Sequence, residues 1–571
     1  MKNKLLFFLL PFAACSLYAQ DTETETTEEQ PKERQEVRVY GGFESNVQWY
    51  LNDKGRNIEQ PVNPIRSNNY FLVNYQYSRF TAGFQLEAYE SDALLNYNPG
   101  FTGAGLGTYY LNYKTGKIDL TAGYFYEQFG SGLLLRAWED RALGINTALR
   151  GGRVQYRPSE NVRLTALFGQ QRTGFEVSDG RVYGFDSEFN LSSLFKFEMS
   201  DLSVGASYVG RYERVDIPDP NFNELTNAFA GRLSFIHNSF YFSGEYNYMQ
   251  EDAVLDVQNR INNNFVKPGN AIQLNFGYTG DGLGIDATVR RIENLKILTE
   301  REPSFVDATS SSLNFNDKVL NYTPALTKQH HSNLANIYVF QAQAKVDFID
   351  PSIMKAGETG GQIDIFYEIP KETPLGGKYG TKVAVNAASW YNLPGQYRFT
   401  PANYDTNLFG AGKKYFSDYN IEIKKRFTET LITNFYYINQ YYNKLWLEGG
   451  EEVNANIATG EVIYNFDTTK SIRFEAEHMW ADADMKNWAG GTVEVNLNDT
   501  YSVYVWDIYN YGNDDSNKQT HYYNVGGAYR HGATRVAVNY GRQRGGLVCV
   551  GGVCRFVPES TGFTLALSTA F

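Results

Sequence analysis

Two of the three cysteines in this 571-residue chain, Cys549 and Cys554, bracket the stretch Val-Gly-Gly-Val near its end. A pair that close is a metal clip, a redox couple or a staple. A metal clip needs two further ligands, and the nearest histidine, His531, lies on the far side of a strand. A redox couple is more usually spaced Cys-x-x-Cys beside a helix. A staple fits better. If Gly551-Gly552 form a type I′ turn, Val550 pairs with Val553 beside it. Cys549 then faces Cys554 in a non-hydrogen-bonded pair, where Cα atoms approach to about 4.5 Å, the lower end of what a disulfide accepts. Exported thiols meet an oxidising compartment. The expectation is a disulfide that closes too small a loop for much entropic gain. Its use would be to stiffen an exposed hairpin against proteases or to present it to a partner.

A second group of residues is charged. The segment GSGLLLRAWEDRALGINTALRGGRV (130–154) carries Arg136, Glu139, Asp140, Arg141, Arg150 and Arg153 among five glycines. Arginines facing carboxylates across a narrow passage set up a transverse field that sorts solutes by charge. The same residues equally suit a folded-in loop held by bidentate ion pairs, and both readings stand. Hydrolysis by Glu139 and Asp140 is disfavoured, because the flanking arginines keep both carboxyls ionised. His330-His331 suggests a metal, but chain neighbours point apart and no Cys, Asp, Glu or His spacing completes a site. With six histidines in all, the pair reads as a solvated or lumen-lining loop, and neither metal nor cofactor is expected. No Ser/His/Asp arrangement has a recognisable setting, a weak argument against a hydrolase since triads need not be close in sequence.

The elements that position these residues begin after an export signal. Lys2 and Lys4, the apolar run from Leu5 to Ala14 and the small-residue end at Ala19 mark residues 1–19 as a signal peptide. The alternative, a lipidated Cys15, is disfavoured by Phe12 at the first lipobox position. Residues 20–36 are an acidic periplasmic leader with nothing to bury, too short for a plug. A formal net charge of −12 argues against nucleic acid as a partner. No later stretch approaches the roughly 18 continuous apolar residues of a helical span.

From residue 37 to the end the pattern alternates. In VRVYGGFESNVQWYL (37–51), Val37, Val39, Phe43, Val47 and Trp49 share one face, and Arg38, Glu44, Asn46 and Gln48 the other. Only a strand sorts residues this way. Short turns, such as Ser78-Arg79 and His237-Asn238, alternate with longer polar joins at 52–68, 91–104, 130–149, 172–180, 251–267, 296–330, 392–410 and 547–560. Sorting connections by length at alternate positions is the asymmetry of an outer-membrane barrel. The expectation is one all-β domain over 37–571, a transmembrane antiparallel β-barrel of about 24 strands (range about 22–26) without a separate plug domain. The count is ambiguous across 348–378. Both termini would be periplasmic, with 52–68, 251–267, 296–330 and 547–560 outside the cell. The closing strand GFTLALSTAF (562–571) resembles the signal read by barrel-assembly machinery, an implied partner beside the membrane lipid.

Charges within strands, as at Arg473, Glu475 and Glu477 or Asp286 and Arg290, oppose apolar neighbours. They would face the lumen, since a charge at the bilayer midplane costs about 2–4 kcal/mol. His478 falls on the lipid-facing parity, near an interface. A barrel this wide encloses an aqueous channel unless something fills it. Without a plug, its own loops must do so.

The stretches FGSGLLLRAWEDRALGINTALRGGRV (129–154), NYTPALTKQHH (321–331) and GLVCVGGVCRFVPESTGFTLALSTAF (546–571) resemble those of a Bacteroidota family of outer-membrane β-barrels of unknown function (DUF6029-like). The resemblance carries no catalytic assignment. Large barrels of that phylum act in solute uptake, glycan handling or the type IX secretion pathway. The expected function is a passive or gated channel for small polar solutes, not an enzyme, with the 130–154 charges lining its narrowest part. The alternatives are a non-conducting scaffold for surface secretion or attachment proteins and, third, an outer-membrane hydrolase.

Overall fold

The computed structural model describes residues 37–97, 100–197, 199–214, 223–255, 261–301 and 318–571. The leader and signal segment, and parts of the 91–104, 251–267 and 296–330 joins, lie outside the described residues. Twenty-four antiparallel strands form one closed sheet. Each wall strand pairs with its sequence neighbours, and the first, Val37–Leu51, meets the last, Ser560–Ala570, in register from Gly42↔Ala570 to Leu51↔Thr561. Gly41 and Phe571 exchange backbone hydrogen bonds of 3.0 and 3.1 Å beyond that ladder. Closure leaves no unpaired edge, which a lipid-facing sheet requires.

Alternation decides which side chain meets lipid. In the strand Phe240–Leu255, Tyr246 and Tyr248 are exposed on the outside, while Glu245, Asn247 and Met249 are buried on the inside. Aromatic pairs gather at both ends of the outer wall. Phe80–Tyr113, Phe240–Tyr278 and Tyr501–Tyr529 lie by the tight turns, and Tyr540–Phe563 and Tyr509–His521 by the long loops. These are the two interfacial girdles of an outer-membrane barrel. His478 joins the second, packed on Trp480 and hydrogen-bonded to the Tyr511 hydroxyl at 2.8 Å.

The tight turns are as the alternation requires. Ser78 and Asn238 take φ of 54° and 52°, the left-handed conformation that two-residue hairpin turns use. Two connections on that side are longer than expected: 191–199 carries the short helix Ser192–Phe195, and 370–380 forms a wider turn. The ambiguity at 348–378 resolves into a small hairpin, Asp347–Asp350 with Ile353–Lys355, followed by the wall strand Gly357–Ile369.

Two expected joins are mostly strand. The strands Val162–Thr173 and Glu176–Asn190 run almost through 172–180 and turn at Gly174 (φ 62°), where Phe175 packs against Tyr89. The strands Phe240–Leu255 and Ile261–Gly280 extend into 251–267. Polar sequence marked these stretches as loops, but backbone pairing can continue above a membrane wherever a partner strand does.

The first loop bears on closure. Asp53 accepts hydrogen bonds from Arg542 (2.7 Å) and Thr561 (2.8 Å) on the last two strands. Burial alone would raise the Asp53 carboxyl, but these bonds outweigh it and hold the pKa below the usual 3.8. Because the folded pKa is depressed, the stabilisation is full above the unfolded value and is lost as pH falls through the folded one. Asp53→Asn should therefore cost about 1–3 kcal/mol at pH 6, and native and variant unfolding temperatures in detergent should converge below about pH 4. A constant gap at every pH would contradict this.

Candidate functional site

The lumen is filled by the chain's own connections. Residues 126–148 enter it as two small hairpins, Glu127–Phe129 with Leu135–Ala137 and Glu139–Asp140 with Ile145–Asn146. Leu133, Leu134 and Leu135 are buried there in one cluster with Val182, Val209, Ala228, Met249, Ala271 and Ile292, all inward-facing wall residues. An apolar contact spread over six consecutive strands is possible only from inside the barrel. Strand charges alone would make the lumen water-filled or packed with polar protein; here the contact is apolar instead. The wall turns small apolar side chains inward where the loop brings leucines, and their contact removes both from water.

The charged residues of the segment are spread over several partners. Arg141 binds Glu44 at 2.6 Å, Glu139 at 3.3 Å and the Gln85 side chain at 2.9 Å, with Tyr70 beneath its guanidinium. Burial would lower the Arg141 pKa, but Glu139 and Glu44 outweigh it and hold it raised. Arg153 lies on the wall strand Leu149–Ser159 and pairs with Asp119 (3.0 Å) and Glu127 (3.3 Å). Asp140 accepts the Leu143 backbone N–H at 2.9 Å. Arg136 stacks between the rings of Tyr322 and Trp138, 3.8 and 4.6 Å from their centroids. Arg150, on the same wall strand as Arg153, is half-buried opposite Tyr124. Only Glu139 and Arg141 of the six meet each other directly.

A second segment, 318–346, crosses the other half of the lumen with little regular structure. Its apolar residues Leu334, Ile337, Tyr338 and Phe340 cluster with Trp390, Phe416, Ile438, Ile457 and Met479 of the wall. Its polar residues are matched to wall carboxylates. Lys328 pairs with Glu422 (3.0 Å) and His330 with Asp418 (2.8 Å). Ser332 and the Leu334 N–H donate to Glu477. Arg290 Nη2 donates to Glu358 (2.6 Å) and to the Pro324 carbonyl (2.8 Å), with both charged side chains 0% exposed.

The fold gives His331 neighbours that no sequence spacing shows. Glu461 and Glu475 of two adjacent wall strands close around it, with ligand-type atoms within 4.8 Å of one another. Arg473 Nη1 lies among them, 3.0 Å from His331 Nε2, 2.9 Å from Glu461 and 3.1 Å from Glu475. That guanidinium neutralises the carboxylates and stands where a cation would bind. The cluster ties segment to wall.

The cysteine hairpin completes the filling. Leu547 to Phe556 pair about Gly551-Gly552, both at positive φ, and Cys549 faces Cys554 in a disulfide with Cα atoms 4.0 Å apart. The hairpin is not an exposed flag, as expected, but tucked inward, with Cys554 2% exposed. The Gly551 carbonyl accepts from the Tyr322 hydroxyl (2.7 Å), the Gly552 carbonyl from the Ala325 N–H (2.8 Å) and the Cys549 carbonyl from Gln329 (3.3 Å). Val553 packs with Leu143 and Ile145, and Arg555 donates to the Ala142 carbonyl. One short hairpin therefore grips both lumenal segments.

The chain belongs to DUF6029, a family of unknown function whose model matches residues 1–571. No curated protein sequence matches it. Among solved structures it is similar to the P pilus usher PapC translocation pore (10% identity, 94% of this chain and 99% of that one, TM-score 0.41). It is also similar to the siderophore receptor PirA from Pseudomonas aeruginosa (9%, 94% and 81%, 0.39) and a BenF-like porin from Pseudomonas fluorescens Pf-5 (9%, 94% and 99%, 0.33). Likeness this distant says nothing of solute or partner.

Below the filled part the lumen is open. A cavity of about 920 Å³, lined by charged and apolar residues together, rises from the tight turns at Lys117 and Asn161 to Gly130 and Ser131, where the first segment forms its ceiling. The Ser131 N–H donates to Glu245 (2.9 Å), and Arg232 on the same wall binds Asp186 (2.7 Å). Gly130 takes φ 54° here, a conformation that a side chain rarely adopts, and an added Cβ would crowd the Arg232 and Glu245 side chains. The wall partners Glu358, Asp418, Glu422 and Glu477 were visible in the sequence only as inward parity. Nothing in their spacing marks which loop they hold.

Proposed function

We propose that this protein is a gated outer-membrane conduit for small polar solutes, closed at rest by segments 126–148 and 318–346 under the cysteine hairpin. The observation that carries the reading is the cavity of about 920 Å³, lined by charged residues among others, that reaches Gly130 and Ser131 of the first segment. A half-open lumen has no structural use in a barrel whose other half is already packed. In this reading Arg136, Glu139, Asp140, Arg141, Arg150 and Arg153 hold the closed position and line the passage when the segment shifts. Arginine–carboxylate contacts suit both tasks, since they exchange for water and solute at small cost where solvent reaches them. The protein purified in folded form should show infrequent, voltage-dependent current steps across a planar bilayer. No current at any voltage or salt concentration would sink the reading.

A non-conducting scaffold is the second reading, favoured by the apolar clusters that join both segments to the wall. Displacing them is costly. In either reading we take both termini to lie in the periplasm and the long loops outside the cell. An epitope in 251–267 should accordingly be labelled on intact cells and one at Ser78-Arg79 should not; the reverse pattern would invert the orientation.

A further inference from the structure

The lipid-facing side of the wall is grooved near the tight turns. A groove of about 580 Å³ extends from Phe80 and Tyr113, whose ring centroids are 4.8 Å apart, to Phe168. Leu111, Leu120 and Val154, all exposed on the outer face, flank it. Its floor is low because Ala122, Gly152 and Ala166, on three adjacent strands, present almost no side chain. Lipid covers such a wall, and a chain lying in a groove touches protein on more sides than one lying on a flat face. Between apolar surfaces in a bilayer that packing, and not the exclusion of water, decides what stays bound.

The turns at the foot of the groove are basic. Residues 77–80 and 113–118 carry Arg79, Lys114 and Lys117 and no carboxylate, in a chain whose net charge is −12. Lys117 borders the lumenal cavity. Arg79 is exposed at the rim, and so is Lys114, with 69% of its side chain accessible. Asp119, the next carboxylate along the chain, is held by Arg153 at 3.0 Å and stands 3.9 Å from Lys114. Long cationic side chains in this position reach the head-group level while their stems cover apolar wall.

We propose that this groove holds one anionic phospholipid of the leaflet on the tight-turn side, with an acyl chain along Ala122, Gly152 and Ala166 and its phosphate between Arg79 and Lys114. A neutral lipid fills the groove and leaves both cations unmet. A second copy of the chain suits this face less well. The symmetric contact of two barrels side by side sets Arg79 and Lys114 against the same residues of the neighbour, and like charges so placed repel. The site lies outside the lumen, so it stands whether or not the barrel conducts.

Native mass spectrometry of the full protein released from a mild detergent tests it, with phosphatidylglycerol, phosphatidylethanolamine and diacylglycerol of the same chains as probes. One phosphatidylglycerol should stay bound per barrel, in preference to either of the others. Gly152→Leu fills the groove without a clash, since an added Cβ meets only the Thr121 carbonyl oxygen at 3.9 Å. It should cut retention by about tenfold or more. Arg79→Gln with Lys114→Gln should leave the chain bound and lower the preference for phosphatidylglycerol by about fivefold for each charge removed. Val385→Leu, on the lipid face of the distant strand Thr381–Tyr391, should change neither. No retained phospholipid would overturn the proposal. So would equal retention of all three lipids, undiminished retention by a folded Gly152→Leu protein, or a dimer that this substitution abolishes.

Discussion

Arg290→Ala should lower the unfolding temperature of the barrel in detergent sharply, a loss of about 3–5 kcal/mol. Arg290 and Glu358 are wholly buried, and the Glu358 carboxylate accepts only from Arg290 Nη2 (2.6 Å) and the Gln343 N–H (2.6 Å) among the described residues. Removing the guanidinium leaves an anion in a dry site with half its partners, and frees the Pro324 carbonyl on the lumenal segment. Replacing both partners by apolar residues, Arg290→Met with Glu358→Leu, should cost clearly less, because no uncompensated charge remains. Lys470→Ala, which removes an exposed pair with Asp467, should change stability by less than about 1 kcal/mol. Heat-modifiable gel mobility ranks the three. An Arg290→Ala protein as stable as the native one, or less stable than one only in step with the double variant, would contradict the assignment of this pair as a clamp.

The wall was legible in the sequence and its contents were not. Alternation in Val37–Leu51 or Ser471–Ala481 identifies a strand and its lipid face, because each side chain reports on its own surroundings. Closure and the Cys549–Cys554 pairing follow from such local rules, and so does the strand number outside 348–378. Residues 126–148 and 318–346 have no period, so their charges announce polarity without naming partners. Leu133 to Leu135 read as an apolar patch within a loop. Only the fold brings them against Val182 and Val209, each a small apolar residue on a face otherwise judged polar. His331 gave no metal-type spacing because its neighbours, Glu461, Arg473 and Glu475, come from two strands more than a hundred residues on. The hairpin's inward tilt was hidden for a related reason. Its turn chemistry fixes Gly551-Gly552, but the contacts that bury Cys554 belong to Tyr322, Ala325 and Gln329.

On the proposed reading, this barrel is closed by its own segments and not by its wall. A 24-strand barrel without filling is wide enough for an aqueous channel. Excising 129–147 and joining the strands Ile118–Phe125 and Leu149–Ser159 through a short Gly-Ser linker removes the ceiling of the lower cavity and one partner of the cysteine hairpin. It leaves every wall strand its ladder partners. Single-channel conductance of the excised and native proteins, both first shown to be folded by heat-modifiable mobility, is the direct measurement. Rare openings are expected in the native protein and a steady current, linear in voltage, in the excised one. A folded excised barrel that passes no more current than the native protein would contradict it.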